Sequence, residues 1–107
     1  MTSSTPKAMV DYLDVRMQDG SRLFAILKDP LSWKALRDHL ETMQSLKILR
    51  FVTDGITEGW LDFEYFGHHF TVHDPLGEFY VFVKDAQCPS FILGELMTHF
   101  RKLKTDV

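Results

Sequence analysis

Apolar residues recur along the chain with two periodicities, one typical of β-strands and one typical of helices. In segment 11–17 aliphatic residues alternate with other residues, which predicts a strand with one wet face. An Asp-Gly pair separates this segment from the apolar run 22–27, and two strands joined by such a pair form a β-hairpin. The alternative for residues 10–17 is a helix that begins after Pro6.

Two segments carry apolar residues at the three- and four-residue spacing of an amphipathic helix. The first covers residues 28–43, where Asp29 is predicted to cap the free amide groups and Pro30 to occupy the first helical position. The second covers residues 88–103 and has Pro89 near its start. The apolar positions are Trp33, Leu36, Leu40 and Met43 in the first helix, and Leu93, Leu96, Met97, Phe100 and Leu103 in the second.

The rest of the pattern predicts an antiparallel meander between the two helices. Its strands are expected in segments 46–53, 60–66, 69–74 and 78–85. We therefore predict an α+β fold, with a mostly antiparallel sheet of five or six strands in the order ββαββββα and two helices packed on one face. Residues 1–9 are small and polar and predict a flexible N-terminal segment, while residues 10–107 form a single α+β domain.

The hairpin at the centre of the chain carries histidines and carboxylates on one predicted face. A two-residue loop formed by Gly67 and His68 gives a self-consistent register for its strands. In that register His73 lies opposite Asp62, and both side chains share a face with His69.

The turn that follows, residues 74–77, allows two registers. If it closes without a bulge, His73 also lies opposite Glu78, which gives a row of carboxylate, imidazole and carboxylate. If Gly77 forms a bulge, His73 lies opposite Phe79 instead, and this is the commoner use of a glycine at that position.

Residues 79–83, with the sequence FYVFV, are all apolar. A strand with one wet face should alternate, so this run predicts a middle strand that is covered on both sides. Helices can cover one side, and the other side needs a loop, the N-terminal segment or another protein. The exposed aromatic residues predicted for that second face are the interface candidates Trp60, Phe66, Tyr80 and Phe82.

Charge is unevenly distributed, although the net charge is only −3. Between Phe51 and Asp85 there are seven acidic residues and one basic residue, Lys84. An acidic segment repels phosphate, so binding to nucleic acid is not expected. The expected partner is a protein of basic character, or a second copy of the chain in a homodimer.

The histidine-bearing face suggests an alternative, a metal- or small-molecule-responsive binding domain that uses His69, His73 and Asp62. Against a metal, His69 and His73 would lie about 13 Å apart along a strand, whereas a metal needs converging ligands. No cofactor is therefore expected.

The chain offers little for catalysis. Cys88 precedes Pro89 at a predicted helix start, where free amides can stabilise a thiolate, but no histidine lies beside it in the sequence. Since no nucleotide-binding or hydrolase motif is present, we predict a non-enzymatic interaction or regulatory domain, with a small enzyme that lacks known motifs as the second alternative. One cysteine excludes an intrachain disulfide, and no apolar run is long enough to span a membrane, so a cytoplasmic protein is expected.

Segments 19–40 and 75–100 resemble each other. Each has a glycine turn, an apolar strand, a Lys-Asp pair, a helix with a proline near its start, and a histidine before an apolar residue, at His39 and His99. This similarity predicts two related halves, each of which sends a helix across the same face of one sheet.

Overall fold

The computed structural model describes residues 10–28, 32–53, 59–74 and 78–103. These residues form six strands and two helices in the predicted order, so the α+β fold is confirmed. The predicted flexible segment 1–9 lies outside the described residues. The strands are β1 (Val10–Arg16), β2 (Arg22–Leu27), β3 (Leu46–Thr53), β4 (Gly59–Tyr65), β5 (His68–His73) and β6 (Phe79–Val83), and the helices are α1 (Trp33–Glu41) and α2 (Ser90–Arg101).

The strands form one sheet in the order β1-β2-β6-β5-β4-β3, and every neighbouring pair is antiparallel. Residues 10–17 are therefore a strand at one edge and not the alternative helix. Arg22 of β2 joins this edge strand to its neighbour. Its guanidinium lies 2.9 Å from the Asp14 carboxylate and donates a hydrogen bond to the Tyr12 hydroxyl at 2.9 Å. The opposite edge of the sheet is β3.

Both helices pack on the same face of the sheet and bury its apolar side chains. Phe70 is at the centre of this core, stacked on Phe63 with ring centroids 5.0 Å apart and met edge-on by Phe24 at 5.8 Å. The helices contribute Leu36 and Leu40 from α1, and Ile92, Leu93, Leu96, Met97 and Phe100 from α2.

Helix α1 begins at Trp33, three residues later than predicted. Its N-cap is Ser32, whose hydroxyl accepts a hydrogen bond from the backbone amide of Ala35 at 3.0 Å. The expected cap and first helical residue, Asp29 and Pro30, lie outside the described residues. The sequence offers two residues suited to capping in this stretch, and the pattern of apolar positions alone does not select between them.

The β4–β5 hairpin turns one residue earlier than predicted. Its loop residues are Phe66 and Gly67, with φ angles of 50° and 79°, and Glu64 lies opposite His69. Positive φ at both central residues defines the type I′ turn, whose twist matches that of the strands. Two-residue loops of this kind are usually built from glycine and a small polar residue, so the sequence did not indicate that a phenylalanine would occupy this one. The division of residues between the two faces is unchanged, because the pairing shifts by two positions.

Strand β6 lies between β2 and β5, which confirms that residues 79–83 form a middle strand. Phe79, Val81 and Val83 face the helices and are buried, whereas Tyr80 and Phe82 on the other side are half-buried. The second side is therefore partly covered, and its predicted cover by a loop, the N-terminal segment or another protein stays a prediction, since residues 1–9 and 54–58 lie outside the described residues.

The two similar segments of the sequence occupy equivalent places in the sheet. Strands β2 and β6 pair with each other, β1 and β5 flank them, and each hairpin is followed by its helix. Ala25 and Val81, which are equivalent when the two Lys-Asp pairs are aligned, lie opposite each other across β2 and β6. This arrangement is what a pseudo-two-fold axis perpendicular to the sheet would give.

Candidate functional site: the open face of the sheet

The face of the sheet opposite the helices, here called the open face, carries cross-strand rows of side chains. Directly opposed residues on antiparallel strands point to the same face, so the pairing defines these rows. Two of these rows cross several strands: one is Val52, Trp60, His73, Tyr80 and Ile26, and the other is Arg50, Asp62, Thr71 and Phe82. A shorter third row is Lys47, Glu64 and His69.

A groove with a volume of about 890 Å³ lies on this face. The β1–β2 turn contributes Met17 and Ser21 to one part of its wall, and β3 contributes Arg50. Residues from the two edge regions of a sheet line one concavity only when the sheet curves, and antiparallel sheets twist and coil in this way. Trp60 and Phe82 supply its aromatic surface.

Asp62 organises the polar side chains of the groove. Its Oδ1 accepts hydrogen bonds from Trp60 Nε1 at 3.1 Å and from Thr71 Oγ1 at 2.7 Å, and it lies 3.7 Å from His69 Nε2. The carboxylate therefore fixes the orientation of the Trp60 indole. Both hydrogen bonds use the same oxygen, so Asp62 positions its neighbours through Oδ1.

His73 lies between aromatic residues and not between carboxylates. It is opposite Trp60 on β4 and Tyr80 on β6, and its ring lies 4.8 Å from the Trp60 ring. Its Nδ1 donates to the Gly59 carbonyl at 3.2 Å. The predicted pairing of His73 with Asp62 is wrong, because His73 lies opposite Trp60. Both registers predicted for the next turn are also wrong, because His73 lies opposite Tyr80 and not opposite Glu78 or Phe79. Residues 75–77 lie outside the described residues.

The four interface candidates do not all belong to one surface. Trp60 is 39% exposed on the open face, and Tyr80 and Phe82 share that face with it. Phe66 is 56% exposed, but it occupies the β4–β5 turn, where its ring packs 4.6 Å from that of Tyr65, a buried residue of the helix-covered face. The structure thus groups three of the candidates and sets Phe66 apart at the end of the sheet.

The open face is not acidic, although the central segment of the sequence is. Strand β3 places Arg50 opposite Asp62 and Lys47 opposite Glu64, and Lys84 lines the groove. Within the part of the chain that the structure describes, Arg50 and Lys84 have no ion-pair partner. The face therefore carries mixed charge, with cationic groups available to a ligand.

The suggested metal ligands do not converge. His69 approaches Asp62, while His73 is held by a backbone carbonyl on the far side of Thr71. No group of three or more histidine, cysteine, aspartate or glutamate side chains in the described ranges is arranged to hold a metal ion.

Cys88 is 3% exposed in the core. Burial raises the pKa of its thiol, Asp85 adds to that effect, and Arg22 opposes it. The environment thus works against the thiolate that a nucleophile requires.

Arg50, Lys84 and Met17 are the groove residues that the sequence did not indicate. They come from β3, from the end of β6 and from the β1–β2 turn, which are far apart in the chain. No local pattern of the sequence marks such residues as neighbours, because only the order of strands and the curvature of the sheet bring them together.

The fold and its groove define a class of protein: a small α+β domain with helices on one face of an antiparallel sheet and a ligand-sized concavity on the other. Comparison of the chain with protein-family models, curated proteins and solved structures gave no match. Neither helix in the described part of the chain has the length and apolar character needed to cross a bilayer.

Proposed function

We propose that this protein is a non-enzymatic interaction module that binds another protein through the groove of its open face. The observation that carries the proposal is the combination of half-exposed aromatic side chains with unpaired cations in one concavity, at Trp60, Phe82, Arg50 and Lys84. Protein interfaces combine aromatic anchors with polar and charged groups in this way.

The partner that suits this surface is an acidic segment with apolar side chains. Arg50 and Lys84 can pair with carboxylates, and the aromatic surface between them can bury aliphatic groups. The basic partner expected from the acidic sequence is less well suited, because β3 places Arg50 and Lys47 opposite Asp62 and Glu64.

A display selection with random peptides would test this proposal. We expect the wild-type protein to enrich peptides that combine acidic and apolar residues, with affinities that fall as salt rises, since charge pairs are screened. Phe82→Lys or Arg50→Glu should abolish the enrichment. Phe91→Lys is the matched control, because Phe91 is 69% exposed on α2, away from the groove.

Enrichment of basic peptides, or equal enrichment by the Phe82→Lys protein, would contradict the proposal. Sedimentation of the same proteins tests the homodimer. If the open face joins two copies, the wild type forms dimers, Phe82→Lys and Tyr80→Lys are monomers, and Phe91→Lys still dimerises.

A second candidate is a domain that binds a small molecule in the same groove. Its volume of about 890 Å³ lies within the range of ligand pockets, and Asp62, His69 and His73 supply polar groups beside the aromatic surface. A thermal shift with a metabolite that disappears in His73→Ala would support this candidate, and no shift with any compound of a metabolite set would contradict it.

The compartment that we propose is the cytoplasm, because the core packs around a free thiol, Cys88, where secreted domains of this size commonly use disulfides.

A further inference from the structure

The C-terminal ends of the two helices meet through a reciprocal pair of histidines. His39 is in the last turn of α1 and His99 in the last turn of α2. Nε2 of each ring lies 2.7 Å from the backbone carbonyl oxygen of the other histidine. The rings stack with centroids 3.9 Å apart and planes inclined by 16°.

Each imidazole adds a hydrogen bond to a carbonyl in the last turn of the other helix. The His39 and His99 carbonyls already accept the amides of Thr42 and Lys102. A neutral imidazole can donate one N–H to the second lone pair of such a carbonyl. The Thr42 hydroxyl completes the cluster, because it donates to the His39 carbonyl at 2.6 Å and lies 3.2 Å from His99 Nε2.

We propose that His39 and His99 form a pH-operated latch, which joins the two helices when at least one ring is neutral and opens when both rings are protonated. One imidazolium suits this site, since a cation at a helix C-terminus is favoured and still donates to the carbonyl. Two imidazolium rings in contact repel each other more strongly than two helix ends attract them. The protons therefore bind in two separated steps that belong to the pair.

Charged residues of both signs lie near the pair. Strand β3, beneath α1, contributes the apolar side chains of Leu46, Ile48 and Phe51 to the helix-covered face. The charged residues nearest in sequence on α1 are Asp38 and Glu41, which pair with Lys34 and Arg37. On α2 the charged neighbours of His99 are the cationic Arg101 and Lys102 and, one turn earlier, the anionic Glu95.

Burial lowers the pKa of His39, the His99 carbonyl opposes this effect, and the charges of His99 and Lys102 reinforce it. A lowered folded-state pKa means that the unfolded chain binds the proton more readily. Neutral His39 therefore contributes its full stability above its unfolded pKa of about 6.5, and this contribution is lost as the pH falls from that value towards the lower folded pKa.

The variants His39→Gln and His99→Gln test the latch, because glutamine donates through its own Nε2 but does not titrate. We expect the urea midpoint of the wild type to fall between pH 7.5 and pH 5, and that of either variant to fall less. The matched control is His68→Gln, because His68 begins β5 beside the β4–β5 turn and is not part of the pair. This variant should keep the wild-type pH dependence.

An NMR titration of the wild-type imidazole carbons adds a measurement that does not depend on any variant folding. We expect His39 and His99 to show coupled, two-step curves, and the amides after His99 to lose hydrogen-exchange protection with the second step. Independent single-step curves, or the same pH dependence in the wild type and both glutamine variants, would overturn the proposal.

Discussion

Phe66 occupies a backbone conformation that disfavours its own side chain. Its φ of 50° is in the left-handed region, where the Cβ of an ordinary residue approaches the following carbonyl, at a cost of about 1–2 kcal/mol. The type I′ turn that it forms with Gly67 is most often built from Asn-Gly. A strained and 56% exposed aromatic residue at this position is not explained by stability alone.

We expect Phe66→Asn to raise the free energy of unfolding by about 0.5–1 kcal/mol, because asparagine tolerates the left-handed region better. Phe66→Ala is the control, since it removes the contact with Tyr65 but keeps the strained backbone. Urea unfolding of both variants measures the difference. An asparagine variant no more stable than the alanine variant would show that the turn is not strained.

Gly59 and Gly94 differ in the space around them, since Gly59 lies in a tightly packed strand and Gly94 on the open side of a helix. Gly94 is exposed within α2, and a Cβ added there would meet no atom within 4 Å. Gly59 begins β4 beneath the indole of Trp33, which occupies the space that a Cβ would need. Helix α1 can approach the sheet at this point only because the strand residue has no side chain.

Replacement of each glycine by alanine should therefore have opposite effects. Gly94→Ala should raise the free energy of unfolding by about 0.5–1 kcal/mol, because alanine is the better helix former. Gly59→Ala should lower it by about 1–3 kcal/mol, because Trp33 must move from its place in the core. Thermal or urea unfolding measures both, and a neutral Gly59→Ala would mean that the indole is free to shift.

The elements themselves were largely predictable, as β2 and β3 illustrate. Both strands have the bounds that their apolar runs predicted, since the side-chain period of a strand is a local property. The start of α1 and the register of the β4–β5 hairpin were not predictable to the residue. They depend on which of several suitable caps or turn residues is used, and the surrounding packing decides this.

At the scale of the whole molecule, Asp74 connects elements that are distant in the chain. Its carboxylate accepts hydrogen bonds from Trp33 Nε1 of α1 at 3.1 Å and from the Gly59 amide of β4 at 3.0 Å. Trp33 also meets Phe79 of β6 edge-on, with ring centroids 4.6 Å apart. This carboxylate thus fixes the N-terminal end of α1 against the sheet.

We expect Asp74→Ala to lower the free energy of unfolding by about 2 kcal/mol, because a hydrogen bond to a charged group contributes about 1.5–3 kcal/mol and Asp74 is half-buried. Asp74→Asn keeps one accepting oxygen and should lose less. Urea unfolding measures the free energies, and the fluorescence of Trp33 reports the local change. An alanine variant as stable as the asparagine variant would contradict this role.

The candidate site was only partly accessible from the sequence. Trp60, Tyr80 and Phe82 were expected on one face, since alternation along a strand specifies which side each residue occupies. The cation Arg50 was not expected there, because a register shift in β3 between Ile48 and Arg50 changes the face that Arg50 occupies. The acidic character inferred for the central segment was offset once β3 paired with β4.

By itself the sequence determined the types of the elements, their order and the side of each that is buried, because periodicity and turn chemistry act over a few residues. Only the tertiary structure decided that β2 pairs with β6, that the open face carries mixed charge and that His39 contacts His99. These features depend on segments that meet after long loops of chain have closed. The free energy that stabilises such long-range contacts comes from the packing of the whole core, which no short stretch of the sequence contains.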